Sequence, residues 1–242
     1  MPIRAITFDF WNTLFVDANG EARQKIRIDA LAEATGVPPD HAAEALRQVW
    51  SEFDRSHRHD HKTLRPEDAV RISTELLGVT VDERTAVHLA EVFATAILIH
   101  SPAVIDNALE AVVAASERIG NGRARIGLIS DSGVSPGSSL RQLLDRHDFT
   151  QHFAAMAFSD EVGVAKPEFA MFERAASQLE VAPCEILHIG DTETTDVAGI
   201  KDAGGTGVLF CAVAGAPKDP SRADYVFRTW REFIDALPDM LD

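Results

Sequence analysis

The sequence predicts an α/β fold in which a doubly wound parallel sheet carries an inserted domain made only of helices. Three observations lead to this prediction. Short apolar runs rich in β-branched residues recur along the chain, most of them are separated by segments of helical periodicity, and one long segment is helical throughout. Strands that alternate with helices and are apolar along their length are typical of a parallel sheet covered on both faces.

Apolar runs mark the predicted strands of this sheet, at 3–10, 124–129, 153–158, 185–189, 207–212 and 224–227. Segments of helical periodicity follow most of these runs, at 105–119, 139–147, 168–179, 195–203 and 230–237. Strand and helix thus alternate over most of the chain, and this order supports the doubly wound core.

The segment between the first and second predicted strands breaks this alternation. Its helical pattern predicts helices at 21–35, 40–57, 66–77 and 82–100, separated by short segments that contain Gly or Pro. Four helices of this length can pack as a small bundle. We therefore predict a core made of 1–16 and 101–242 and a helical cap made of 17–100. The cap should lie over the carboxyl edge of the sheet, where open α/β folds bind ligands.

Charge limits the partners that this chain can have. Its 38 acidic and 23 basic residues give a formal net charge of −15, and no block of basic residues interrupts the acidic surface. Such a surface repels nucleic acid and anionic membranes, so we predict neither as a partner. An anionic small-molecule substrate must then be held by a local device, such as a metal ion, a lysine or a helix N-terminus.

The sequence lacks the features of membrane and secreted proteins. No apolar run approaches the roughly 18 residues that a membrane span requires, and the N-terminus lacks the residue order of a signal peptide. We therefore expect a soluble protein of the cytoplasm. Cys184 and Cys211 show no metal-binding spacing, and we expect both to be buried thiols. The oligomeric state cannot be inferred from this sequence.

Chemically useful side chains follow several of the predicted strands. Asp9 ends the first strand, Ser130 ends the second, Lys166 precedes a predicted helix, and Asp191 and Asp196 follow the fourth strand. Taken singly, each has an ordinary structural interpretation as a turn, cap or surface residue. A lysine before a helix is nevertheless unfavourable for the helix dipole unless an anion lies there. The three carboxylates offer the hard oxygen ligands that suit Mg²⁺.

The order Asp, Ser, Lys and Gly-Asp-x4-Asp in these loops resembles that of the haloacid dehalogenase-like (HAD) hydrolase superfamily. The resemblance covers 1–16 and 101–212, and the helical insertion lies where that family carries its helical C1-type cap. It implies an enzyme, a phosphatase-like HAD hydrolase with Asp9 as the nucleophile that forms an aspartyl-phosphate. Catalysis would also involve Ser130 and Lys166, which would hold the phosphoryl oxygens.

The same resemblance implies the remaining site residues and the cofactor. The phosphate-binding set would be Thr13, Ser130, Asp131 and Lys166. Mg²⁺ would be bound by Asp9, the backbone carbonyl of Trp11 and Asp191, with Asp196 as a direct ligand or as a partner of the ligands. The expected substrate is a small phosphorylated metabolite.

Two positions depart from the family pattern. Phosphatases of this family normally carry a second Asp two residues after the nucleophile, and here that position is Trp11. Trp cannot protonate a leaving alkoxide or activate water, and losing a positioned acid/base typically costs about 10²- to 10⁴-fold in rate. Metal binding should survive, because this position contributes its carbonyl. Asn12 replaces the usual Gly, which predicts a backbone geometry that Asn tolerates.

Three interpretations of Trp11 stay open. The chain is a Mg²⁺-dependent phosphohydrolase whose substrate has a good leaving group or whose cap supplies the proton carrier. Alternatively, it is a 2-haloacid dehalogenase, a type of enzyme that has an aromatic residue at this position and displaces halide without metal. As a third alternative, it is a non-catalytic binding or regulatory protein. Asp191 with Asp196 favours the first interpretation, because a metal-free dehalogenase has no need of a carboxylate at position 191.

Two groups of predicted cap residues have both a functional and a structural interpretation. Six of the nine histidines lie in the cap, most densely at 57–61, and histidine suits proton transfer near neutral pH. Such a run is more often an exposed helix end. Arg23, Lys25 and Arg27 lie close together on the first predicted cap helix, and we expect them to face solvent rather than an anionic group.

Overall fold

The computed structural model describes residues 2–119, 125–213, 215 and 220–241, with only the backbone of Arg58. The strands within this part of the chain are β1 (Ala5–Phe8), β2 (Phe15–Val16), β3 (Ala103–Val104), β4 (Ile126–Ser130), β5 (Ala155–Phe158), β6 (Ile186–Gly190), β7 (Thr206–Phe210) and β8 (Tyr225–Phe227). The α-helices there are α1 (Gly20–Thr35), α2 (Pro39–Asp60), α3 (Pro66–Leu77), α4 (Glu83–Ile99), α5 (Ala108–Ile119), α6 (Gly137–Arg146), α7 (Ser159–Val162), α8 (Phe169–Leu179), α9 (Ala198–Asp202) and α10 (Trp230–Leu241).

A parallel six-stranded sheet forms the core, in the order β5-β4-β1-β6-β7-β8. The first strand lies between β4 and β6, with Phe8 opposite Leu128 on one side and Ile189 on the other. The six predicted strands and the predicted doubly wound fold are confirmed, although Ala124, the first residue of the second predicted strand, lies outside the described residues. The carboxyl ends of β1, β4 and β6 are therefore neighbours at one edge.

Apolar side chains cover both faces of this sheet, as the continuous apolar strands predict. One face packs against α5, α6 and α10, where Trp230 stacks on Phe210 with ring centroids 4.2 Å apart. The other face packs against α8 and α9 through side chains such as Phe172 and Ile200. Fully burying a side chain of this size contributes about 1.5–3 kcal/mol, so these two layers hold the sheet edge in place.

The helical insertion, which we define as Gly20–Ile99, contains α1 to α4 and has an apolar cluster of its own, centred on residues such as Leu46, Leu89 and Phe93. At its base, β2 pairs antiparallel with β3, with Phe15 opposite Val104. This two-stranded sheet was not predicted, because two residues are too short to show a strand period. It joins the two chain segments that connect the insertion to the core.

Two further features bear on the sequence predictions. Cys211 is buried but Cys184 is only half-buried, so the expectation of two buried thiols is wrong for Cys184. Cys184 lies within the short 3₁₀ turn Pro183–Glu185, and its partial exposure there was not visible from the spacing of the cysteines. Among the described residues, no helix combines the length and apolarity needed to cross a bilayer.

Candidate active site

The residues predicted to carry chemistry converge at the carboxyl edge of the sheet. Asp9, Asp131, Lys166, Asp191 and Asp196 all line one cavity of about 870 Å³. They come from the loops that follow β1, β4, β5 and β6, which lie next to one another because those strands are neighbours in the sheet. Four distant parts of the chain therefore meet around a space large enough for a small metabolite.

Lys166 is the centre of the charge network. Its side chain is 2% exposed, and its Nζ donates to Asp9 Oδ1 at 2.6 Å and to Asp196 Oδ1 at 2.5 Å. Burial alone would lower the pKa of Lys166, but the attraction of Asp196, Asp9 and Asp131 raises it overall. Lys166 is therefore an ammonium group at neutral pH, held beside the Asp9 carboxylate.

Lys166 precedes a helix, as predicted, but its charge is matched by carboxylates rather than by an anion at the helix N-terminus. Helix α8 begins at Phe169, Glu168 precedes it, and the Lys166–Pro167 peptide bond is cis. The side chain is engaged with the buried carboxylates of Asp9 and Asp196. The ammonium group of Lys166 thus pairs with those two carboxylates. No anion at the N-terminus of α8 is needed to explain the position of its charge.

Asp196 is held by partners on both of its carboxylate oxygens. Oδ1 contacts Lys166 Nζ and lies 3.1 Å from His188 Nε2, while Oδ2 accepts the backbone N–H of Thr192 at 3.0 Å. Burial would raise the pKa of Asp196, but Lys166 and then His188 hold it below its ordinary value. These bonds favour the interpretation of Asp196 as a partner of the metal ligands, since few of its lone pairs remain available.

His188 extends this network into the sheet. The ring is fully buried, with Nδ1 2.9 Å from the hydroxyl of Thr7 on β1. Burial lowers the pKa of His188, with the bond to Asp196 opposing the shift. A neutral ring donates from Nε2 to Asp196 and accepts at Nδ1 from Thr7, because a carboxylate only accepts. The strand pair thereby fixes the orientation of Asp196.

The carboxylates of Asp9, Asp191 and Asp196 fit a hard divalent cation. One oxygen from each lies within 4.8 Å of the others. Burial raises the pKa of Asp9, and repulsion from Asp196 and Asp191 adds to the shift against the attraction of Lys166. Burial and then Asp196 also raise the pKa of Asp191. A divalent cation would remove this repulsion, and oxygen donors in this arrangement suit Mg²⁺.

The two positions that depart from the family pattern both line the cavity. Asn12 has a positive φ of 54°, which confirms the predicted backbone geometry, and its side-chain amide donates to Asp191 Oδ2 at 3.1 Å. Trp11 packs edge-on against Phe10 with ring centroids 5.0 Å apart. The indole is held in the cavity wall and contributes no proton donor or acceptor of the carboxylate type.

The predicted phosphate-binding set divides in two. Lys166 and Asp131 line the cavity, where Asp131 Oδ1 accepts the backbone N–H of Lys166 at 2.8 Å. Thr13 and Ser130 are fully buried and do not line it. The Ser130 hydroxyl donates to the Asp131 carbonyl at 3.2 Å, and Thr13 Oγ1 has no hydrogen-bond partner among the described residues. The structure therefore does not place these two hydroxyls at the cavity surface.

The helical insertion supplies the opposite wall of the cavity. Its lining side chains there include Arg23, Arg27, Trp50, Phe53 and His57. His57 Nε2 lies 3.5 Å from Asp131 Oδ2, and its ring stacks on Phe53 with centroids 5.4 Å apart. The cavity is thus enclosed between the sheet edge and α1 and α2.

Sequence reasoning missed several of these residues. Thr7 and His188 lie inside apolar strands. A polar residue there could have been recognised as part of a buried hydrogen-bond network, because a buried polar group needs a partner. Asn12 was noted for its backbone only, and its bond to Asp191 depends on the loop conformation. Arg23 and Arg27 were expected to face solvent, yet they are 4% and 7% exposed. Their burial depends on how the insertion packs, which local sequence does not show.

Comparisons with known proteins agree with this architecture. A sequence model of the haloacid dehalogenase-like hydrolases matches residues 3–204. Pyrimidine 5'-nucleotidase YjjG of Escherichia coli (strain K12) is 36% identical over 84 residues, which are 34% of this chain and 36% of that relative. The match to this relative therefore spans little more than a third of either protein.

Two solved structures are similar over nearly their full lengths. The HAD phosphatase from Thermococcus onnurineus has a TM-score of 0.68 at 22% identity, with 97% of this chain and 98% of that chain covered. The 2-haloacid dehalogenase from Pseudomonas syringae pv. Tomato DC3000 has a TM-score of 0.71 at 20% identity, with 98% and 99% covered. At these identities the two structures establish the fold alone. Because the family model matches most of the chain, including Asp9, Lys166 and Asp191, this chain belongs to the haloacid dehalogenase-like hydrolase family.

Proposed function

We propose that this protein is a Mg²⁺-dependent phosphohydrolase that acts on a small phosphorylated metabolite through an aspartyl-phosphate on Asp9. The observation that carries this proposal is the clustering of one buried ammonium group with three carboxylates. Lys166 Nζ lies 2.6 Å from Asp9, and oxygens of Asp9, Asp191 and Asp196 lie within 4.8 Å of one another. Phosphoryl transfer depends mainly on positioning and charge neutralisation, which such a cluster supplies.

The proposed reaction has two steps. A carboxylate oxygen of Asp9 attacks phosphorus, the bond from phosphorus to the leaving oxygen breaks, and that oxygen takes up a proton. Water then attacks the aspartyl-phosphate and gives up a proton, the bond between phosphorus and Asp9 breaks, and inorganic phosphate leaves. Lys166 reduces the repulsion between Asp9 and the phosphoryl dianion. Mg²⁺ held by Asp9, Asp191 and the Trp11 carbonyl would neutralise further charge on the phosphoryl group.

The domain organisation completes this proposal. We propose that 1–16 and 101–242 form the catalytic core, and that 17–100, which contain the helical insertion, form a cap that encloses the substrate. Ser130 and Thr13 remain proposed phosphate contacts, and the Ser130 hydroxyl would have to exchange its bond to the Asp131 carbonyl for one to a phosphoryl oxygen.

We propose His57 as the proton carrier that replaces the acid lost at Trp11. Its ring lines the same cavity as Asp9, and its Nε2 lies 3.5 Å from Oδ2 of Asp131, which also lines that cavity. The Asp131 carboxylate near Nε2 would orient the ring, as an acidic partner does for a general base. Histidine is the side chain that most often transfers protons in enzymes.

Dehalogenation of a 2-haloacid is the second candidate function, favoured by the indole of Trp11 where phosphatases carry an acid. That reaction needs no metal. Burial, and then repulsion from Asp196, raise the pKa values of Asp9 and Asp191, and a metal-free reaction gives this clustering of carboxylates no role. A non-catalytic role leaves the buried Lys166–Asp9 pair equally unexplained.

A substrate panel with and without Mg²⁺ tests the proposal. The panel contains p-nitrophenyl phosphate, acetyl phosphate, 5'-nucleotides, sugar phosphates and 2-chloropropionate. We expect Mg²⁺-dependent release of phosphate from some of these compounds, and we expect Asp9→Asn to abolish it, because the amide is a poor nucleophile. Halide release without metal would support the dehalogenase instead.

Trapping provides an independent control. With Mg²⁺, beryllofluoride should bind the wild-type protein and raise its melting temperature, because a ligand that binds only the folded state stabilises it. The Asp9→Asn variant should show no such shift. A folded wild-type protein that neither binds beryllofluoride nor releases phosphate would contradict the proposed function.

A further inference from the structure

Two arginines of α1 are buried in the wall of the cavity. Arg23 is 4% exposed and Arg27 is 7% exposed, and both line the same space as Asp9 and Lys166. Lys25, which lies between them in sequence, is 74% exposed at its side chain and pairs with Asp29. The helix therefore turns two of its three basic residues toward the cavity and leaves the third in solvent.

The buried positive charge is not balanced locally. Arg23 Nη2 donates to the half-exposed Asp17 carboxylate, and Nη1 donates to the His100 carbonyl at 2.9 Å. Arg27 donates to the carbonyl of Phe93 at 3.2 and 3.1 Å and to the hydroxyl of Ser135 at 3.4 Å, all uncharged acceptors. Two guanidinium groups thus share one carboxylate in a chain whose net charge is −15.

Arg27 carries most of this imbalance. Burial, and then repulsion from Arg23, lower the pKa of Arg27 to about 10, so the group stays charged at neutral pH. Its Nη1 donates to none of the described residues, and its guanidinium carbon lies 5.4 Å from the centre of the Trp50 ring. Buried charges in proteins are normally paired. An unpaired guanidinium on a cavity wall, held in place by neutral acceptors and an aromatic ring, is arranged for an anion.

We propose that Arg27, supported by Arg23, binds a second oxyanion of the substrate, so that the enzyme prefers phosphomonoesters that also carry a carboxylate or another phosphate. This inference rests on the proposed function, which places the transferred phosphoryl group at Asp9 and Lys166. A planar guanidinium fork can pair with either kind of oxyanion through two parallel hydrogen bonds. The second oxyanion then fixes the orientation of the leaving group.

Matched substrates test this proposal. We expect kcat/KM for 3-phosphoglycerate to exceed that for glycerol 3-phosphate by about tenfold or more if the oxyanion is a carboxylate, since a contact worth about 1.4 kcal/mol changes a rate constant tenfold. Fructose 1,6-bisphosphate against fructose 1-phosphate is the corresponding pair for a second phosphate. Arg27→Gln should remove the preference, so that the ratio of kcat/KM values within each pair falls to about one.

Three controls accompany this experiment. Lys25→Gln removes a charge from the same helix but from its exposed face, and it should leave the preference unchanged. Arg27→Lys keeps the charge without the fork and should retain part of the preference. Circular dichroism and melting temperature confirm that each variant is folded.

The outcomes separate this inference from the proposed function. Hydrolysis of p-nitrophenyl phosphate without any preference for anionic substrates, or equal losses on both members of a pair in Arg27→Gln, would overturn the second-oxyanion site alone. If no phosphomonoester is hydrolysed, binding of the same compounds, measured by calorimetric titration, tests the second-oxyanion site. Asp9→Asn should bind 3-phosphoglycerate or fructose 1,6-bisphosphate at least about tenfold more tightly than its matched partner, and equal binding would overturn the inference.

Discussion

At the scale of single residues, Trp11 and His57 bear on how the proposed site would transfer protons. Trp11 packs against Phe10 in the cavity wall, so in the proposed phosphohydrolase the proton transfer comes from another wall of the cavity. The His57 ring approaches the half-buried carboxylate of Asp131 there, with Nε2 3.5 Å from Asp131 Oδ2. Burial raises the pKa of Asp131, while Lys166 and then His57 lower it. The core and the insertion thus share one charge network.

Replacing His57 tests its role as proton carrier. We expect His57→Gln to lower kcat/KM on unactivated phosphomonoesters by about 10²- to 10⁴-fold, because a positioned acid/base contributes that much and kcat/KM reports only the steps up to departure of the leaving group. The loss should be much smaller on p-nitrophenyl phosphate, whose leaving group needs no proton. Steady-state kinetics on both substrate types measures this difference.

Two further variants distinguish proton transfer by His57 from a purely structural role in the cavity wall. His59→Gln changes an exposed residue of the same helix and should leave both rates unchanged. Trp11→Asp introduced into His57→Gln should restore part of the rate on unactivated substrates. Equal losses on good and poor leaving groups would show that His57 positions the cavity wall and does not transfer protons.

The elements of the core were largely predictable from the sequence, whereas their ends were not. A buried parallel strand is apolar along most of its length. This pattern is local, so β4 and β6 could be recognised from their own residues alone. The π-helical turn at Glu193–Val197 lies where a regular helix was predicted, at 195–203. It forms at the loop in which Asp196 bonds to Thr192, Lys166 and His188. Two of those contacts, to Lys166 and His188, reach other segments of the chain, so no local pattern encodes the turn.

The junction between β6 and this turn requires a glycine. A Cβ added at Gly190 would lie 2.1 Å from Asp196 Cγ, closer than real Cβ atoms approach a neighbour. Asp196 cannot move without losing its bonds to Lys166 and His188. The glycine is therefore part of the geometry that positions the candidate metal site.

We expect Gly190→Ala to destabilise the fold by about 1–3 kcal/mol, as overpacking typically does, and to lower turnover by at least about tenfold. Urea denaturation and steady-state kinetics measure the two effects. Gly207→Ala on β7 is the matched comparison, because a Cβ there would meet Val197 Cγ1 at an easier 3.3 Å and should cost less. Comparable stability and activity in the two variants would contradict the proposed constraint.

On the scale of the whole molecule, the cavity depends on how the insertion sits on the core. The Ala165 N–H donates to the His61 carbonyl at 2.8 Å, and Arg65 Nη2 donates to the Asp160 carbonyl at 2.7 Å. Val134, from the loop after β4, is 3% exposed within the apolar cluster of the insertion. These contacts could not be predicted from the sequence, because they join segments that are far apart in the chain. For the same reason Arg23 and Arg27 were expected in solvent: their burial depends on how the insertion packs, which the local sequence does not show.

A substitution at Val134 tests the contact between the insertion and the core. Val134→Ala removes two buried methyl groups from the contact, and we expect it to weaken docking of the insertion by about 1–2 kcal/mol. The core should keep its folded sheet, because Val134 packs with the insertion cluster rather than with the clusters on the sheet. We expect a higher KM, since the cavity wall formed by α1 and α2 would be less well ordered, and faster proteolytic cleavage near 57–65. Val87→Ala, on the exposed face of α4 at 63% exposure, should change neither quantity. A Val134→Ala protein with unchanged KM and unchanged cleavage rate would show that the polar contacts alone hold the insertion over the sheet edge.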